Sequence, residues 1–189
     1  MTLVNTSQMM IGPGRLRYAP VGTDDSLIVA GYTPTWTSWL DVGATDGGVK
    51  MSIAKDYTNH SVDQVADWVA STINERHVTV QTEVVESGDL TKISLVNNGG
   101  TTTASFNASW DKYEPTTDLI STQETYIAVA LEGRALDGKK MIIVARRVLN
   151  VDSIAFEFKK DGKTTLGLMF AGHYVSDTIA PFAVYKQNR

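Results

Sequence analysis

A mainly β fold, a β-sandwich or barrel with one flanking α-helix, is what this 189-residue sequence predicts. Three observations carry that expectation. Apolar and polar residues alternate through much of the second half, turn-forming pairs stand between the alternating runs, and one segment has helical spacing with a signal at each end. Alternation with period two sends successive side chains to opposite faces of a strand, so half of them face a core.

Taken in order, residues 1–14 show no periodicity and read as an amino-terminal arm, closed by a Gly12-Pro13-Gly14 turn. The glycine- and threonine-rich residues 21–48 read as a long loop. The polar tract 49–60 has no helical stripe. Residues 61–74 point two ways: Ser61 with Gln64 mimics a capping box and Val62, Val65, Val69 and Ile73 recur at helical spacing, yet strand-like sequence flanks them. Val78, Val80 and Thr82 then lead an extended run to Glu86. Ser87 is placed to cap a helix over about residues 88–98, with Leu90, Ile93 and Val96 as its apolar stripe and Gly99 in the left-handed position past its end. Residues 101–115 read as a second long loop.

Residues 125–131 and 141–149 are β-rich runs around a loop at 133–140, in which Asp137-Gly138 is a turn pair. Ile154, Phe156 and Phe158 alternate with polar neighbours, Asp161-Gly162 offers a tight turn, and Thr164, Leu166, Leu168 and Phe170 alternate again, which predicts a hairpin. A closing strand at 179–185 carries Pro181 near its start, where a missing amide is best tolerated.

The composition bounds the function. A single domain spanning 1–189 fits the length, with 42% hydrophobic and 20% charged residues to build one core. No cysteine is present, which excludes disulfides, thiolate metal sites and cysteine nucleophiles. A net charge of -4 argues against gripping nucleic acid through its phosphates. The amino terminus lacks a basic, apolar export pattern and no apolar run is long enough to span a membrane, so folding in a cytoplasm is expected and the sequons at Asn5, Asn59 and Asn107 are idle.

Chemistry finds little purchase. His60, His77 and His173 lack metal-ligand spacing with a supporting carboxylate, and Gly12-Pro13-Gly14 lacks the lysine and the strand-to-helix setting of a phosphate loop. Asp41 and Asp46-Gly47 do not complete a calcium loop, and no G-x-S-x-G elbow occurs. Glu83 with Glu86, and Asp24 with Asp25, read as solvated carboxylates. Of the four tryptophans, Trp39 reads as core and Trp68 as interface, with Trp36 and Trp110 unassigned. Arg146-Arg147 sends one side chain to each face of a strand, each read as solvated charge. No catalytic, cofactor or metal site is expected.

The ordered pieces resemble the tail tube proteins of long, non-contractile-tailed bacteriophages. The likeness runs from about residue 10 to 184. Arg15-Leu16-Arg17-Tyr18-Ala19-Pro20-Val21-Gly22-Thr23 is similar to that family's opening strand and proline-glycine turn, and Trp39 through Val49 resembles its W-x-x-x-G-x-T-x-x-G pattern. Val62-Asp63-Gln64, the strand at 77–86 followed by a helix at 88–98, the Lys-Asp-Gly hairpin and the late Pro181-Phe182 strand follow in the family's order. Residues 101–114 have no counterpart.

The resemblance implies a structural, non-enzymatic virion protein, assembled in the host bacterial cytoplasm as hexameric rings. The rings stack helically into a tail tube, the conduit for genome ejection. It implies partners in further copies of itself and in tape measure, tail tip and tail terminator proteins, with DNA passing unbound through an acidic or neutral lumen. No membrane or cofactor is involved. It also makes 62–65 a strand and 66–76 a long inter-strand loop that stacks rings, with Trp68, Val69, Ile73 and Arg76 as the candidate contact residues. A secretion-system tube, a tail terminator or a capsid accessory protein is the alternative, and a carbohydrate-binding β-sandwich a more distant one.

Overall fold

The computed structural model describes residues 14–116, 125–156, 160 and 162–188. Its strands are β1 (Arg15–Pro20), β2 (Leu40–Asp41), β3 (Thr45–His60), β4 (Ala70–Val84), β5 (Thr101–Asn107), β6 (Trp110–Glu114), β7 (Ile127–Arg134), β8 (Lys140–Asn150), β9 (Leu166–Gly172) and β10 (Phe182–Lys186), with helix α1 (Leu90–Val96) between β4 and β5. Every pairing is antiparallel. The predicted class therefore holds: mainly β, sandwich-like, with one flanking helix among the described residues. The main sheet runs β2-β1-β7-β8-β9-β4-β3, and β10 adds to β8, which it pairs over Met141 to Ala145 before β8 turns to β9 at Val148.

Two cores lie on the two faces of this sheet. Alternation puts Val78, Val80 and Val84 of β4 and Leu166, Leu168 and Phe170 of β9 in one core with Leu16, Val129 and Val148 from the sheet's other half, and α1 covers it with Leu95 and Val96. The sheet thus curls over its own interior. On the other face Ala19, Ala128, Ala130, Ile142 and Val144 meet Ile28 and Trp39 from the segment between β1 and β2. Small alanines leave space for those two larger side chains, and Trp39 is 5% exposed, as its sequence position predicts.

Asn150 fastens α1 to the sheet where β8 meets β9. Its Nδ2 donates to the Val96 carbonyl at 2.6 Å and its Oδ1 accepts from the Met169 amide at 2.8 Å, while Asn98 exchanges two further bonds with the Asn150 backbone. The asparagine is buried, so each of those partners depends on it.

Several expectations are corrected. The helix is shorter than 88–98, and Asp89 rather than Ser87 caps it, its Oδ1 accepting from the Thr91 amide at 2.8 Å. Past its end Asn98 takes the left-handed conformation at φ 54, a role asparagine tolerates, and Gly99 follows at φ 135. Residues 62–65 are not a strand but part of the turn region between β3 and β4. Residues 70–76 are strand rather than loop, since Ala70 to Arg76 pair back along β3 from His60 to Lys55. The inter-strand loop is therefore 61–69. Residues 101–115 form the β5–β6 hairpin instead of a loop, and 45–48 of the presumed loop already belong to β3. Residues 154–156 are not strand, and β9 takes β8 and β4 as neighbours. The rest of the predicted hairpin at Phe158 and Asp161, and the arm at 1–13, lie outside the described residues. The Asp137-Gly138 turn is present, with Gly138 at φ 81 and its amide donating to the Ala135 carbonyl at 2.9 Å.

Candidate functional site

The feature that stands apart from the fold is the hairpin of β3 and β4. Its root is anchored by Val78, Val80, Thr82 and Val84, and the Thr82 hydroxyl donates to the Gly48 carbonyl at 2.9 Å. Outward from that root, residues 52–77 are exposed without interruption. The paired part, from Ser52 opposite Thr79 to His60 opposite Ala70, makes an arm about 27 Å long at the usual rise of a strand.

A two-stranded ribbon with no core on either face is marginal in water, so the arm's stability rests on its backbone ladder and on side-chain pairs across it. Ser71 donates to Asn59 at 2.7 Å, Asn74 donates to Thr58 at 2.6 Å, and His60 meets Thr72 at 2.9 Å. A bulge between Asp56 and Tyr57 interrupts the register. At the tip the Val69 amide closes onto the His60 carbonyl at 2.8 Å.

The structure brings Trp68 and Val69 together at the tip, where they are 72% and 57% exposed. Ile73 sits further down, opposite Tyr57 on one face of the ribbon, and Arg76 lies near the root with its guanidinium 5.8 Å from the Phe182 ring. The four candidate residues therefore form no single patch. Tip and shaft are distinct, and Val62 and Val65 join the tip.

Sequence reading missed one cluster on the arm. His77 Nε2 lies 3.1 Å from Glu75 and 3.6 Å from Asp56, the three ligand-capable atoms falling within 4.8 Å of one another. Glu75 and His77 share a face by alternation, and the register places Asp56 opposite Glu75, so the carboxylate support absent from the linear sequence arrives across the hairpin. All three side chains are more than half exposed, and the pairing of one imidazole with two carboxylates accounts for their arrangement.

The Arg146-Arg147 pair is also corrected: neither is a simple solvated charge. Arg146 donates from Nε to Asp25 at 3.1 Å and from Nη1 to the Ala180 carbonyl at 2.8 Å, and the Tyr185 hydroxyl donates to the same Asp25 oxygen at 3.0 Å. Burial, and then the Asp25 carboxylate, push the Tyr185 phenol above its ordinary value. Arg147, on the other face, lies 4.1 Å from the Tyr126 ring and donates to the Tyr174 carbonyl.

The glycine of the tryptophan pattern has a local reason. Gly43 adopts φ 100, and a Cβ there would stand 2.5 Å from the Glu86 carboxylate, whose other oxygen accepts from the Ala44 amide at 3.1 Å. That contact ties the start of β3 to the end of β4's run, at the root of the arm.

No protein-family model and no curated protein matches this chain. Its candidate site is therefore defined by geometry: an exposed ribbon with an apolar tip, and a sheet whose outer strands are β2 at one end and β3 at the other. Outer strands leave backbone donors and acceptors unpaired, which is a template for another chain. Among the described residues no helix is long and apolar enough to cross a membrane.

Proposed function

We propose that this chain is a structural, self-assembling protein whose rings stack into a tube, of the kind that forms the tail tube of long-tailed bacteriophages. The observation that carries the reading is the arm: residues 52–77 are exposed throughout and end in Trp68, Val69, Val62 and Val65. An exposed apolar tip on a ribbon with no core of its own gains stability only against another surface. The open edges of β2 and β3 support the same reading, because closing subunits into a ring pairs edges that are otherwise bare.

In a tube the arm would reach the neighbouring ring, and the lumen would pass DNA without holding its phosphates. Virion localisation and contacts with tape measure, tail tip and tail terminator proteins belong to this proposal. The test is negative-stain electron microscopy together with sedimentation velocity over rising protein concentration. Rings or tubes are expected, and a chain that stays monomeric to millimolar concentration overturns the reading.

A further inference from the structure

The face of β1, β7 and β8 that packs on Ile28 and Trp39 changes character at one end. Register places Arg15 opposite Glu132, Arg17 opposite Ala130 and Arg134 opposite Lys140, and cross-strand partners share a face. The result is a cleft of about 460 Å³ in which Arg15, Arg17, Arg134 and Lys140 meet a single carboxylate, Glu132, beside Pro34 and Trp36. Lys140 occupies that carboxylate at 2.7 Å. Arg17 reaches Asp41 only at 3.9 Å, lies 4.6 Å from the Trp36 ring, and has a buried Nε with no hydrogen-bond partner. Among the described residues neither Arg15 nor Arg134 has a carboxylate partner. On a chain of net charge -4, this is a local excess of positive charge, which carboxylates complement.

Through Pro34 and Lys140 the cleft continues into a second cavity of about 370 Å³, faced by Tyr32, Ile142 and Tyr185. An occupant of both parts needs carboxylates next to a large apolar side chain. The arm tip has that composition: residues 61–69 contain Asp63 and Asp67, no lysine or arginine, and Val65 and Trp68 exposed at 50% and 72%. Being exposed on its own chain, the tip does not fill its own molecule's cleft. Residues 1–13 contain no aspartate or glutamate and so do not complement the arginines.

We infer that the arm tip of one copy docks in this cleft of a neighbouring copy, with Asp63 and Asp67 toward Arg15, Arg17 and Arg134 and with Trp68 in the apolar part. The inference rests on the self-assembly reading above and names its donor and acceptor surfaces. Because donor and acceptor are different surfaces of one chain, the contact is heterologous and propagates from copy to copy. Its ion pairs weaken as salt rises.

The experiment is a charge swap in the full chain, read as the assembled fraction at fixed concentration by sedimentation velocity, with thermal melts to confirm folding. Asp63→Lys with Asp67→Lys, and separately Arg15→Glu with Arg134→Glu, are each expected to lower apparent association at least about tenfold, and the four together to recover most of it. Arg134→Glu alone, paired with Asp67→Lys, serves if the double cleft variant does not fold. Assembly by the parent with no loss in either reversal, or no recovery in the combination, overturns the docking while leaving the self-assembly reading intact. Failure of the parent chain itself to assemble overturns both.

Discussion

Replacing Trp68 by alanine separates folding from assembly. The indole is 72% exposed in the isolated chain, so nothing in the chain's own core depends on it. Surface substitutions of this kind change stability by about 0.5 kcal/mol or less, which moves the melting temperature of a chain this size by only about 1–2 °C. In an assembly the account reverses. A tryptophan contributes roughly 150–250 Å² of surface, and covering the exposed 72% at about 25 cal/mol per Å² is worth about 3–4 kcal/mol as an upper bound. Ordering the side chain costs about 0.5–1.5 kcal/mol of that. A net loss of about 2–3 kcal/mol per contact weakens association by a factor of roughly 30–150 at a tenfold change per 1.4 kcal/mol. Sedimentation velocity across a concentration series reads the second quantity and differential scanning fluorimetry the first. Unchanged association, or a melting temperature lowered by more than about 5 °C, refutes the assignment of Trp68 to a surface outside the fold.

Other outcomes follow from the fold. Asn150→Leu removes the partner of the Val96 carbonyl and of the Met169 amide, and is expected to cost about 2–4 kcal/mol in urea unfolding; a change below about 0.5 kcal/mol would show that the Asn150 bonds are not needed. Gly43→Ala places a Cβ on a backbone at φ 100 and displaces the Glu86 carboxylate, so a loss of about 1–3 kcal/mol is expected, and a thermal melt indistinguishable from the parent contradicts strain at that positive φ. The raised Tyr185 value means that the folded state favours the protonated phenol, so its stabilisation is complete below the ordinary value of 10.0 and is lost as pH rises through the higher folded one. Alkaline melts should therefore fall less steeply in Tyr185→Phe than in the parent, and identical slopes would exclude Tyr185 as a contributor.

What was legible in the sequence is what burial had written there. Leu166, Leu168 and Phe170 alternate because one face of β9 is core, and the strand was readable for that reason. The arm and β5 are exposed on both faces and β6 is at most half-buried, so no apolar period marks them as strands. The helical spacing of Val62, Val65, Val69 and Ile73 is accidental, since the three valines lie in the 61–69 loop and Ile73 pairs across the ribbon. Asp89 displaced Ser87 as cap because only the aspartate sits two residues before the amide it binds. Trp68 could be picked out as an outward-facing tryptophan, whereas the Asp56, Glu75 and His77 group and the arginine cleft depend on register, which a linear sequence does not display.

The arm's separation from the core also bears on how such a chain changes over generations. Substitutions in residues 52–77 meet almost no penalty from packing, because those side chains touch solvent in the isolated molecule. Substitutions at Val78, Val80 or Val84 disturb a filled interior. On the proposed assembly, the ribbon is the part of the chain where selection acts on the surface it meets and on its own cross-strand pairs, while the sheet beneath it is held by its core.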